Sequence, residues 1–208
     1  MYFNHEVCSD DMVRLSKDYL KDTSVKNIKG TAFCRAFSER TDNMNKQAIF
    51  NLSYGVYIVT TWGDGKPTGC TANSAMQITS DPAVIAVSIN RDNYTNECIK
   101  DKGVFAINIL GEKVKPLLIG TFGFRSGRDF NKFDGIEPLI KEMLPVLPDA
   151  MSYITCKVID SVETSTHTIF LGEVTDCDVL SDDTPMTYDY YHKVIKGKAP
   201  KTAPTYQG

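Results

Sequence analysis

Residues 54–110 read YGVYIVTTWGDGKPTGCTANSAMQITSDPAVIAVSINRDNYTNECIKDKGVFAINIL, and the punctuation of this stretch decides the fold. Val56 to Thr61 is rich in β-branched and aromatic residues and reads as a strand. Asp64-Gly65 accepts the positive φ values of a tight hairpin, so the chain turns back there. The next strand runs from about Thr68 to Thr79, interrupted on one face by the polar residues Thr71, Asn73 and Ser74. Asp81-Pro82 marks a turn, and Val84 to Ile89 is a continuous apolar strand. Asn93 or Thr95 can cap a helix through Lys100, and Gly103 ends it before a further strand over Val104 to Leu110.

Working outward, residues 1–43 are polar and offer little apolar material. They read as an N-terminal extension, with a short helix near Asp10 to Asp22 capped by Ser9 or Asp10. A second short helix is expected over Asn45 to Asn51. Beyond Leu110, Glu112 to Ile119 looks helical. GTFGFRSGRDFNKFDG (residues 120–135) reads as a Gly-rich basic loop, and the three prolines within 138–148 argue for irregular chain. Two long strands follow, Met151 to Thr164 and Thr168 to Leu180, with apolar residues alternating at Ile154, Cys156 and Val158 and again at Phe170, Gly172 and Val174. The C-terminal tail, residues 181–208, is rich in Pro, Tyr and Lys. Many antiparallel strands with a few short helices point to a mainly β fold, an antiparallel Greek-key-like barrel. The absence of GxGxxG excludes the Rossmann dinucleotide fingerprint.

A hydrophobic content of 42% with 24% charged residues is that of a globular chain, and a net charge of −3 gives no electrostatic case for nucleic acid. No apolar run approaches the ~18 residues of a membrane span, and the N-terminus lacks the order of a signal peptide. The six cysteines form no CxxC pair and no zinc spacing. They read as reduced thiols of a cytoplasmic protein.

Two clusters carry chemistry. Thr71, Ala72, Asn73 and Ser74 combine small residues with hydrogen-bonding groups, which suits the edge of a flat polar ring; the same pattern also fits an exposed strand face. Asn90, Arg91, Asn93 and Thr95 stand where a buried strand gives way to a helix, and helix N-termini attract phosphate; an ordinary N-cap is the alternative. Together the clusters suit flavin mononucleotide (FMN). The loop residues Ser126, Gly127, Arg128 and Lys132 could clamp a phosphate or meet a nicotinamide donor, or could be a solvated loop. His167, in the turn between the long strands, could lie by the ring or be structural. Trp62, Tyr188, Tyr190, Tyr191 and His192 could stack on a ring or on a partner subunit, or serve interface or core packing. No Ser-His-Asp order commits the chain to hydrolysis, and three histidines are too few for a metal cage.

Segments LSYGVYIVTT, TGCTANSAMQITSDP, VSINRDNYT, KGVFAINIL, GTFGFRSGRDFNKF, THTIFLGEV and YYHKVIKGKAPKTAPTY, in this order, resemble the flavin reductase-like family with the FMN-binding split-barrel fold. The resemblance spans about Met44 to Gln207, so residues 44–208 form the domain and 1–43 have no counterpart. It is closest to the flavin domains of high-molecular-weight rubredoxins and flavoredoxin-type proteins. It implies an FMN-dependent oxidoreductase taking hydride from NADH or NADPH, and a homodimer with its two flavin sites near the interface. It implies as acceptor a flavin, ferric iron, a separate rubredoxin or a flavodiiron-type protein. A flavin electron carrier reduced by a protein donor is the alternative. By position, Thr71, Ala72, Asn73 and Ser74 would line the isoalloxazine and Asn90, Arg91, Asn93 and Thr95 would hold the phosphate. Ser126, Gly127, Arg128 and Lys132 would complete the phosphate region or meet the donor, and His167 would stand by the ring. No side chain is required as a general acid or base.

Overall fold

The computed structural model describes residues 45–200 and 203–205. Met1–Asn51 and Leu52–Gly208 are separate compact units. Of the first, the described part is a 3-10 helix over Lys46–Asn51, where a short helix is expected. The helix expected at 10–22 and the extension 1–43 lie outside the described residues.

The second unit begins with β1 (Tyr57–Gly63) and β2 (Lys66–Ala72), joined by a turn in which Asp64 (φ 50°) and Gly65 (φ 74°) both take the left-handed conformation. This is the primed turn that an Asp-Gly pair favours. Then come β3 (Ala75–Ser80), β4 (Ala83–Asn90), α1 (Tyr94–Lys102) and β5 (Val104–Ile109). Asn93 caps α1 through its side chain, and Gly103 closes it at φ 68° by donating its N–H to Ile99 O. α2 (Pro116–Phe124) starts four residues later than expected, because Pro116 at the first turn sets its beginning. It also absorbs the start of the Gly-rich loop, burying Leu118, Ile119 and Phe122. Residues 138–148 are not irregular: Leu139–Lys141 (β6) and Leu144–Val146 (β7) pair as a small hairpin. β8 (Ser152–Glu163), β9 (His167–Val179) and α3 (Tyr188–Lys193) complete the unit.

The single long strand expected over Thr68 to Thr79 is divided at Asn73-Ser74, and that division defines the architecture. Seven strands form one antiparallel sheet in the order β2-β1-β5-β8-β9-β4-β3. Its edge strands, β2 and β3, are consecutive in the chain. In a flat sheet they would lie six spacings of ~4.8 Å apart, about 29 Å. Three Cα–Cα steps from Ala72 to Ala75 reach at most about 11 Å. The sheet must therefore curl until its edges meet at residues 72–75. No ladder joins β2 to β3, so the barrel is split along that seam. Register shifts at Thr155/Cys156 and Val158/Asp160 bend β8 and β9, and bulges of this kind increase local twist.

Val59, Val87, Ile99, Phe105, Ile107 and Phe170 fill the barrel interior. Gly172 admits Phe105: a Cβ there would lie 2.6 Å from Phe105 Cζ. A second cluster, with Ile58, Leu110, Phe122, Phe133, Leu147 and Tyr191, packs α2 and α3 against the barrel. Asn108, fully buried, bolts the β6–β7 hairpin in place. Its Nδ2 donates to Ile58 O (2.8 Å) and Thr60 Oγ1 (3.0 Å), and its Oδ1 accepts from Leu147 N (2.7 Å). Cys70, Cys98 and Cys156 are buried free thiols and Cys177 is an exposed one. No described helix is long and apolar enough to cross a membrane.

Candidate functional site

An open cleft lies at the seam. Its floor is the C-terminal ends of β2 and β4: Cys70, Thr71, Ala72 and Asn73 on one side, Ser88, Ile89 and Asn90 on the other. Asn93 opens the N-terminus of α1 onto it, and His167 stands opposite Asn90 in the β4–β9 ladder. Gly123 and Phe124 from α2, Tyr188 and Tyr191 from α3, and tail residues 198–200, 203 and 204 form the walls.

Of the sequence-predicted residues, Thr71, Ala72, Asn73, Asn90, Asn93 and His167 line the cleft. Thr71 donates its hydroxyl to Ile119 O (2.9 Å), fixing α2 on β2. Both ends of the Asn73 amide are engaged. Nδ2 donates to Thr205 Oγ1 and Oδ1 accepts from Ser74 Oγ, each at 2.8 Å. Ser74 is thus a neighbour of the cleft, and its carbonyl accepts from Ser88 N (2.9 Å), the first bond across to β4. Asn90 Oδ1 accepts from Asp92 N and Asn93 Oδ1 from Thr95 N. His167 Nδ1 is 2.8 Å from Thr166 Oγ1.

Thr95 is 1% exposed, behind Asn93, and its Oγ1 has the Cys70 thiol beside it as its one weak partner, with no nitrogen or oxygen in hydrogen-bond reach. A buried hydroxyl without a strong partner costs up to about 1–3 kcal/mol. It is placed where a helix N-terminus carries free N–H groups and partial positive charge.

The other predicted residues stand outside the cleft. Arg91 pairs with Glu163 (3.1 Å) and donates to Thr164 O (3.3 Å), tying α1's approach to the tip of the β8–β9 hairpin. Arg128 pairs with Glu97 (2.6 Å) and lies over the Tyr94 ring, with Ser126 Oγ accepting from its backbone N–H. Gly127 packs so closely on Thr68 that a Cβ would lie 2.3 Å from Thr68 Oγ1. Lys132 is 3% exposed; its ammonium donates to Gly69 O (2.7 Å) and Phe122 O (3.0 Å), and burial lowers its pKa.

Burial raises the Cys70, Tyr188 and Tyr191 pKa values, so these groups are neutral near pH 7. No described Asp or Glu lines the cleft, and Lys198 is the one described Lys or Arg that does. A partly apolar slot with no described acidic residue, one lysine and a helix N-terminus at one end suits a flat ring bearing a phosphate. The tail's part in this wall is not visible in the sequence pattern. Its only signal is apolar Ala and Pro residues spaced among the lysines of GKAPKTAP.

The sequence profile of the flavin reductase like domain matches residues 49–197. The chain is 46% identical over 165 residues to a high molecular weight rubredoxin of Moorella thermoacetica, covering 78% of this chain and 72% of that protein. It is 40% identical to a ferric-chelate reductase (NAD(P)H) of Archaeoglobus fulgidus, covering 78% of this chain and 98% of the relative. Among solved structures, flavin reductase HpaC complexed with NADP+ superposes with a TM-score of 0.60 at 26% identity, over 69% of this chain and 90% of that one.

Proposed function

The chain belongs to the flavin reductase like family, whose profile spans 149 of its 208 residues (49 to 197), and on that premise we propose an FMN-dependent NAD(P)H oxidoreductase. The observation that carries this reading is the cleft at the seam, with strand ends for a ring and the α1 N-terminus, opened by Asn93 with the buried Thr95 hydroxyl behind it, for a phosphate. When bound there, FMN supplies the two-electron chemistry, taking hydride from a reduced nicotinamide and passing electrons on.

The chain's own residues bind, orient and exclude water. The backbone of Thr71 to Ser74 presents its edge to the ring, and Asn90, Asn93 and Thr95 surround the phosphate. His167 bounds the ring's other side. Phe124 and Tyr188 provide apolar walls against which a nicotinamide ring can be held flat on its partner. Arg91, Ser126, Gly127, Arg128 and Lys132 act in this reading by fixing α1 and the loop after α2. The acceptor in this reading is a flavin, a ferric chelate or a rubredoxin-type protein, and a donor drawn from the nicotinamide pool places the reaction in the cytoplasm. β3, the edge strand with Met76 and Ile78 exposed, is the surface a second copy would cover in a homodimer.

The test is an absorbance spectrum of the purified protein reconstituted with FMN, followed by anaerobic NADH and then NADPH. Flavin bands that bleach with either nucleotide support the reductase. Bands that persist identify a carrier reduced by another protein, and absence of flavin binding overturns the assignment.

A further inference from the structure

The described tail residues beyond α3 stay on the domain: 198–200, 203 and 204 line the cleft. The Thr205 hydroxyl is the fastening. It accepts from Asn73 Nδ2 (2.8 Å), at the seam between the sheet edges, and donates to Tyr188 OH (2.8 Å) on α3. Thr205 is 6% exposed, Asn73 likewise, and the contact joins residues 132 positions apart. The near end of the tail is held too. Gly197 donates its N–H to Tyr191 O (3.0 Å), and its carbonyl lies 2.8 Å from His192 Nδ1. Between these anchors Ala199, Pro200 and Pro204 present apolar surface to the cleft.

Building on the FMN reading, we propose that this segment is a clasp that makes the flavin a resident group rather than a diffusing co-substrate, with Thr205 as its positioning residue. A ring lying on the strand ends is roofed by 198–200 and 203–204, and leaving requires the Asn73–Thr205–Tyr188 chain to open. Opening strips a buried amide and a half-buried phenol of their partner, which water must then replace. Electrons therefore leave by an acceptor that comes to the cleft, not by release of reduced flavin. Ferric chelates and redox proteins fit that requirement; an enzyme that consumes free reduced flavin does not.

The experiment measures flavin dissociation after rapid gel filtration of the FMN-loaded full chain, for the wild type, Thr205→Val, Thr205→Ser and Tyr188→Phe. Thermal midpoints are recorded for each in the flavin-free form. Loss of a buried hydrogen-bonded partner predicts that Thr205→Val releases FMN roughly tenfold faster or more. Thr205→Ser should hold it as the wild type does. In steady state the wild type should reduce a ferric chelate without added FMN, while Thr205→Val should become dependent on it. If Thr205→Val does not fold, Tyr188→Phe carries the same comparison. Equal dissociation from wild type and variants, or a wild type that loses its flavin on the column and needs it replenished, overturns the clasp. That failure is distinct from failure of the functional reading, in which no variant binds FMN at any concentration, an outcome that removes both.

Discussion

Thr95→Val replaces a hydroxyl by a methyl of nearly the same shape, and its two effects should have opposite signs. In the flavin-free protein Thr95 Oγ1 is buried with no nitrogen or oxygen partner, so the wild type carries its desolvation cost. Replacing it with an apolar group returns up to about 1–3 kcal/mol, and the adjacent Cys70 thiol, a weak partner, puts the expected gain at the lower end, ~1 kcal/mol. For a domain of this size that raises the thermal midpoint by about 2–4 °C. On the proposed FMN reading the same hydroxyl would face a charged phosphate, and a hydrogen bond to a charged group contributes about 1.5–3 kcal/mol. Its loss weakens FMN binding by roughly 10- to 150-fold. The assays are thermal denaturation of the flavin-free protein and titration by quenching of flavin fluorescence. A variant that is less stable without flavin, yet binds it as tightly as the wild type, would refute the argument that this hydroxyl is reserved for the ligand.

Two further outcomes follow from packing and charge. Asn108→Ala removes the amide that satisfies Ile58 O and Leu147 N inside the core, so urea unfolding should show a loss of about 3–5 kcal/mol from orphaned groups and a cavity; a loss under 1 kcal/mol would mean the hairpin does not depend on this bolt. Glu163 has its pKa lowered below the ordinary 4.5, chiefly by the Lys100 hydrogen bond, with Thr168 and Arg91 assisting. A depressed carboxylate pKa gives stability that is present above the unfolded value and lost as pH falls through the folded one. Glu163→Gln should therefore flatten the decline of thermal midpoint as pH falls below about 4.5; an unchanged acid limb would count against the ion cluster.

The parts of this fold that are legible in sequence are those fixed by local chemistry. Asp64-Gly65 specifies its turn and Asn93 with Gly103 brackets α1, because each acts on backbone groups within a few residues. The division of the strand at Asn73-Ser74 is not local. It is stabilised by Thr205 from the far end of the chain and by Ser88 from β4, so a window centred on TGCTANSAMQITS reads as one continuous strand. Pro145 misleads for a similar reason: it stands in β7, half of a two-stranded hairpin where only one neighbour needs its pairing, and Thr60 binds its carbonyl from β1 at 2.5 Å. In the site, residues on strand ends and at the helix cap are brought together as their spacing suggests. Arg91 and Arg128 are not, because Glu163 and Glu97 from other elements capture them, and sequence distance conceals both carboxylates.

The link between Ala72 and Ala75 also acts as a gauge. Because it alone spans the two free edges of the sheet, its length sets how wide the barrel can gape at that end. One added residue would permit up to about 3.8 Å more separation, and one removed would pull the edges toward direct pairing. The width of the cleft is thus written in a stretch of chain too short to vary without rescaling it. Changes in what the cleft admits are expected instead in the walls contributed by α2, α3 and the tail, whose lengths are not constrained by closure of the sheet.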